Sequence, residues 1–102
     1  MRQTLERLAA AGFRLIPVED LRGHFLFERG GYLALVDDAG EGFGGVGNPG
    51  ILTERGFAVL VRTENSYLFA AKGLKVPASD EQVLEARRFA NDLRTAIAAP
   101  SA

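Results

Sequence analysis

Apolar positions along the chain fall into two patterns, a two-residue alternation that buries one side of a strand and a three-and-four recurrence that buries one side of a helix. The alternation is clearest in His24 to Arg29 and in Tyr32 to Asp37, two aromatic and aliphatic runs separated by Gly30-Gly31. Two glycines supply the positive backbone angles of a tight primed turn, so this stretch is predicted as a β-hairpin. A two-residue loop then dictates the register. Arg29 faces Tyr32, Phe27 faces Ala34 and Phe25 faces Val36, while the other face pairs Glu28 with Leu33, Leu26 with Leu35 and His24 with Asp37. A second hairpin is predicted from Phe57 to Arg62 and from Tyr67 to Ala71, turned by Thr63-Glu64-Asn65-Ser66. In it Arg62 faces Tyr67, Leu60 faces Phe69 and Val61 faces Leu68. Both of its sides are therefore apolar, whereas a sheet with one wet face alternates more cleanly.

The helical recurrence appears at the two ends. Met1, Leu5, Leu8 and Ala9 share one side of a predicted helix over Met1 to Ala11, with Gly12 as its stop. Ser79 begins the second, with Asp80 and Glu81 in the first turn and Gln82 placed to close a capping box. That helix is predicted to run to Ala98 and to turn Val83, Ala86, Phe89, Ala90, Leu93 and Ile97 inward. Between these elements, Phe13 to Ile16 reads as a short extended segment ended by Pro17. Positions 18–23 read as a connection with one helical turn at 19–22, and Lys72 to Ala78 as another connection. The expected fold is α+β in two layers: a mostly antiparallel sheet of four to five strands, with the N-terminal and the long C-terminal helix packed on it. The order of elements is similar to that of small profilin-like or roadblock-like modules, a likeness that implies nothing about function. No motif identifies a family.

Six of the twelve glycines lie between Gly40 and Gly50. Gly40, Gly42 and Gly45 spell G-x-G-x-x-G, a pattern that in the right setting lets backbone amides converge on a phosphate. The setting is wrong for a dinucleotide fingerprint, which needs a long helix after the glycines within a βαβ unit, and Asp37, Asp38 and Glu41 would repel an anion. One expectation for positions 48–56 is a short helix capped by Asn48, with Pro49 in its first position and Gly56 as its stop. For the segment as a whole the other expectation is a mobile turn or a glycine-bearing bulged strand that admits neighbouring backbone. Gly42, Phe43, Gly44, Gly45, Gly47 and Asn48, together with Arg55, are the candidate ligand-binding residues, at the rim of any pocket.

Catalytic candidates reduce to His24 and Asp37. A lone histidine opposite a carboxylate suits a general base, and equally suits a plain cross-strand pair. No serine or threonine is tied to it, so a triad has no support. A hard-cation site at His24, Asp37, Asp38 and Glu41 lacks EF-hand spacing, and no metal or cofactor is expected. On the last helix Arg87, Asn91 and Arg94 share a flank that suits an acidic partner, or simply a solvated edge.

Composition narrows the classes further. A chain of 102 residues, 47% hydrophobic and 25% charged, is expected to form a single small domain, with a disordered tail over about 99–102. A net charge of −1 with interleaved signs argues against nucleic acid or an anionic membrane as partner. The absence of cysteine removes disulfides and thiol chemistry, and a charged N-terminus without a long apolar run points to the cytoplasm. The expected function is a non-catalytic binding or assembly module, a homodimer that hides the surplus apolar sheet face, open to a small ligand or protein partner beside the glycine-rich segment. The alternative is a small enzyme using His24 and Asp37, with the segment's amides as an anion or oxyanion cradle.

Overall fold

The computed structural model describes residues 2–19 and 21–99, in the order α1 (Arg2–Ala10), β1 (Arg14–Ile16), β2 (His24–Arg29), β3 (Tyr32–Asp38), β4 (Phe43–Val46), β5 (Gly50–Thr53), β6 (Gly56–Arg62), β7 (Tyr67–Ala71), β8 (Leu74–Pro77) and α2 (Asp80–Ala98). The turn expected over 19–22 includes Asp20, and the tail expected over 99–102 runs past Ala99. Both lie partly outside the described residues, as does Met1 of the first helix.

The class is α+β and the sheet is antiparallel, but it has eight strands where four or five were expected. Seven run in the order β1-β2-β3-β5-β6-β7-β8, β4 pairs only with β3, and the sheet curls into a half-barrel. Three short strands make the difference. β4 forms within the glycine-rich segment, as the bulged-strand alternative to a mobile turn had it, and β5 begins at its last glycine, where a short helix was the other expectation. β8 forms where Lys72 to Ala78 was expected to be a connection, because Lys72-Gly73 closes a two-residue turn between Ala71 and Leu74. Pro77 stands at the end of that edge strand, the place where a missing N–H does least harm.

Both predicted hairpins form in their predicted registers, from Arg29↔Tyr32 to His24↔Asp37 and from Arg62↔Tyr67 to Val59↔Ala70. Gly30 and Gly31 carry φ angles of 63° and 92°, which a side-chain-bearing residue reaches only with strain. Ser79 caps α2 as the sequence indicates: its side chain accepts from the Gln82 amide, and the Gln82 side chain accepts from the Ser79 amide.

Alternation along the strands assigns the two faces of the sheet. Phe27, Ala34 and Val36 join Leu8, Phe13, Phe89 and Leu93 in one core cluster, and Ala58, Leu60 and Phe69 join Val83 and Ala86 in a second. α2 crosses both clusters, and Tyr32 packs against each of them. Phe27, Phe69 and Phe89 are almost wholly removed from water, worth about 2 kcal/mol apiece in transfer terms. Polar contacts then fix the helices over this core. The Arg7 Nε donates to the Ala96 carbonyl at 2.8 Å, satisfying an orphan acceptor in the last turn of α2. Arg29 stacks its guanidinium 4.4 Å from the Phe13 ring centroid and pairs with Asp92 at 2.7 Å. Among the described residues, no helix is long and apolar enough to cross a membrane.

Candidate functional site

The glycine-rich segment becomes strand because its glycines let it lie close against β3. A bulge shifts the β3–β4 register between Val36↔Val46 and Asp38↔Phe43. A Cβ on Gly44 would lie 3.0 Å from the Asp37 Cβ, and one on Gly45 would lie 3.4 Å from the Asp37 Oδ2. At Gly50 there is no room at all, since a Cβ there would come within 2.0 Å of the Ala58 carbonyl oxygen. The helix expected after Asn48 gives way to β5. Gly56, at φ 96°, turns β5 into β6 instead of stopping a helix.

Several backbone groups in and beside this segment are engaged in sheet and turn. Gly47 donates to Leu35, Ala39 donates to Gly42, and Gly40 donates to the Asp38 carboxylate. Phe43 turns inward and meets Phe25 and Phe27 edge-on, at ring separations of 5.0 and 5.5 Å. It packs against the core cluster under α2.

His24 and Asp37 do come together, with Nε2 3.2 Å from Oδ1, beside Gly44 and Gly45 at one end of the sheet. The Nδ1 of His24 lies 3.1 Å from the Arg22 carbonyl oxygen. Each ring nitrogen thus already lies within hydrogen-bond distance of an oxygen of the chain. The pair is well exposed and lies on the face away from the helices, because Phe25, next along β2, packs inward. Asn48 and Arg55 part company. Asn48 lines a cleft between the end of β6 and α2, whereas Arg55 sits at the far end of β5 with its guanidinium against Gly73.

What the strands assemble instead is a broad apolar face. On the side of the sheet opposite α2, the outward positions of β5, β6 and β7 are Leu52, Phe57, Val59, Val61, Leu68 and Ala70, with no charged or polar side chain among them. The same side continues through Leu33 and Leu35 of β3 and Leu26 of β2 to Ile16 of β1, where the curl of the sheet leaves Leu26 and Leu33 buried. Leu52 is 68% exposed and Val61 36%. Charge is confined to its margins: the Arg14–Glu28 pair at 3.1 Å on one side, Lys75 of β8 on the other, and His24–Asp37 at one end. The Arg14 guanidinium, hydrogen-bonded to the Glu28 carboxylate, titrates above its ordinary range.

Comparison with known protein families, with curated proteins and with solved structures finds no match. The chemistry of these surfaces therefore rests on their own geometry.

Proposed function

We propose that the chain is a non-catalytic assembly module that pairs with a second copy of itself through the helix-free face of its sheet. The observation that carries this is the run of six outward positions on β5, β6 and β7 without a polar residue. An antiparallel sheet that keeps one face in water alternates apolar with polar, and here the alternation is missing. Contiguous exposed apolar surface of this kind marks an interface, and an apolar centre with charge kept to the rim is the anatomy of one. Self-pairing suits it because a twofold interface needs only one self-complementary patch, and a net charge of −1 opposes it little.

The enzyme alternative draws no comparable support, since both His24 ring nitrogens already lie beside oxygens of the chain and the Gly40 and Gly47 amides are bonded within it.

Sedimentation velocity tests the proposal directly. A dimer is expected at micromolar concentration, and Leu52→Lys is expected to weaken it by about tenfold or more through an unpaired charge in the contact. Leu84→Lys, which changes a side chain 65% exposed on α2, is expected to leave it unchanged. A wild-type chain that stays monomeric at high micromolar concentration would refute the proposal.

A further inference from the structure

The cleft that Asn48 enters has a composition unlike the rest of the surface. β5 and β6 stay paired only as far as Gly50↔Val59, with one more bond from the Leu60 amide to the Pro49 carbonyl. Before Pro49 the chain has come from β4, which lies against β3, so the end of β6 is left without a neighbour on that side. The gap is closed from the helix side by α2. The result is an open cleft of about 580 Å³, in the size range of small-molecule sites.

Three arginines line it: Arg62 from β6, and Arg87 and Arg94 from α2. No carboxylate lines it, and among the described residues none of the three arginines has a carboxylate within 4.0 Å. Three guanidinium groups line one concavity, a local positive charge on a chain whose net charge is −1. Two of them are held in place. Arg87 stacks over the Tyr67 ring, 4.9 Å from its centroid, and donates to the Tyr67 hydroxyl, while Arg94 donates to the Asn91 side-chain oxygen at 3.1 Å. Held guanidinium groups lose little further freedom on meeting a planar anion, and their paired N–H donors match carboxylate and phosphate oxygens. Alternation along β6 adds a donor. The Thr63 amide bonds toward β7, to the Ser66 carbonyl, so the Arg62 amide points the other way, to the side where no strand runs. Leu60, Pro49 and Ala90 supply an apolar wall.

We infer that this cleft is a binding site for a small organic anion, one whose carboxylate or phosphate group sits among Arg62, Arg87 and Arg94 and whose apolar body rests on Leu60 and Ala90. The site is on the helix side of the sheet, and it stands or falls independently of the face proposed for dimerisation.

Titration of the full chain, followed by backbone amide NMR shifts, tests it with inorganic phosphate, phenyl phosphate and benzoate as probes. Saturable shifts at Asn48, Arg62 and Asn91 are expected, with phenyl phosphate binding more tightly than inorganic phosphate because it also reaches the wall. Benzoate against phenyl phosphate then decides which anion head the cleft prefers. Arg62→Gln, Arg87→Gln and Arg94→Gln are each expected to weaken binding about tenfold, the effect of losing one charge-assisted contact. Arg88→Gln, on the neighbouring flank of α2, is expected to have no effect. The inference is overturned if no probe saturates by about 10 mM. It is overturned equally if Arg88→Gln weakens binding as much as Arg94→Gln, which would reduce the effect to general charge.

Discussion

Within the glycine-rich segment, neighbouring glycines do different things, and only their surroundings tell them apart. A Cβ at Gly42 would meet nothing within 4 Å, whereas one at Gly50 would collide with the Ala58 backbone and the Phe57 ring. Gly42→Ala is therefore expected to change stability by no more than about 0.5 kcal/mol, as surface substitutions usually do. Gly50→Ala is expected to destabilise by about 1–3 kcal/mol, because the atoms in the way are backbone and a buried ladder rather than the tip of a flexible side chain. Urea unfolding of the two variants checks the contrast. The sequence shows six glycines in eleven positions but not which of them another strand presses upon, since that depends on where Ala58 lies. The same blindness affects the cleft: Arg87, Asn91 and Arg94 are legible as one helix flank, and Arg62 opposite Tyr67 as a strand pair. That the two meet is due only to the departure of the chain toward β4.

Among the elements, legibility tracked the strength of the local signal. Gly30-Gly31 between two aromatic runs and Ser79 with Gln82 are self-contained instructions, and the hairpin register and the capping box appear as read from them. β4, β5 and β8 have only four residues each, and β4 and β5 carry glycines that disfavour strand intrinsically. They form because longer strands beside them offer unpaired edges, and β8 has the Lys72-Gly73 turn as its one local cue. Contacts between elements carry a testable consequence at Tyr32, where β3 meets α2. Burial raises the Tyr32 phenol above its ordinary 10.0, and the Glu85 and Glu81 carboxylates on α2 add to the shift, with a hydroxyl-to-Glu85 distance of 3.4 Å. The folded state thus holds this proton more tightly than the unfolded chain does. Its contribution is complete below the unfolded value and is lost as pH rises through the folded one. Wild-type stability relative to Tyr32→Phe is expected to be flat at neutral pH and to fall from about pH 10 upward, as read by urea unfolding across an alkaline series. A constant difference across that range would mean that Tyr32 ionises alike in both states.

At the scale of the whole molecule, α2 packs on one face of an eight-stranded sheet, and the apolar positions of β5, β6 and β7 on the other face stay partly open, with Leu52 68% and Val61 36% exposed. If the proposed pairing buries that face, stability and association are linked, because the unfolded chain has no such face to bury. Unfolding then converts one folded dimer to two chains, and mass action makes the melting temperature depend on protein concentration. A tenfold rise in concentration adds about 1.4 kcal/mol per dimer. An unfolding entropy of about 2.1 cal/mol/K per residue, taken over two chains of 102 residues, converts this into a rise of about 3 °C. Scanning calorimetry across two decades of concentration is expected to show that slope in the wild-type chain. In Leu52→Lys the melting temperature at a given concentration should fall toward that of the isolated subunit, with the slope setting in only at higher concentration. Leu52 is exposed enough within one chain that the substitution itself removes little internal packing. A flat wild-type profile would mean that the sheet tolerates its apolar face in water, and the absence of polar residues from β5, β6 and β7 would then need a cause other than self-pairing.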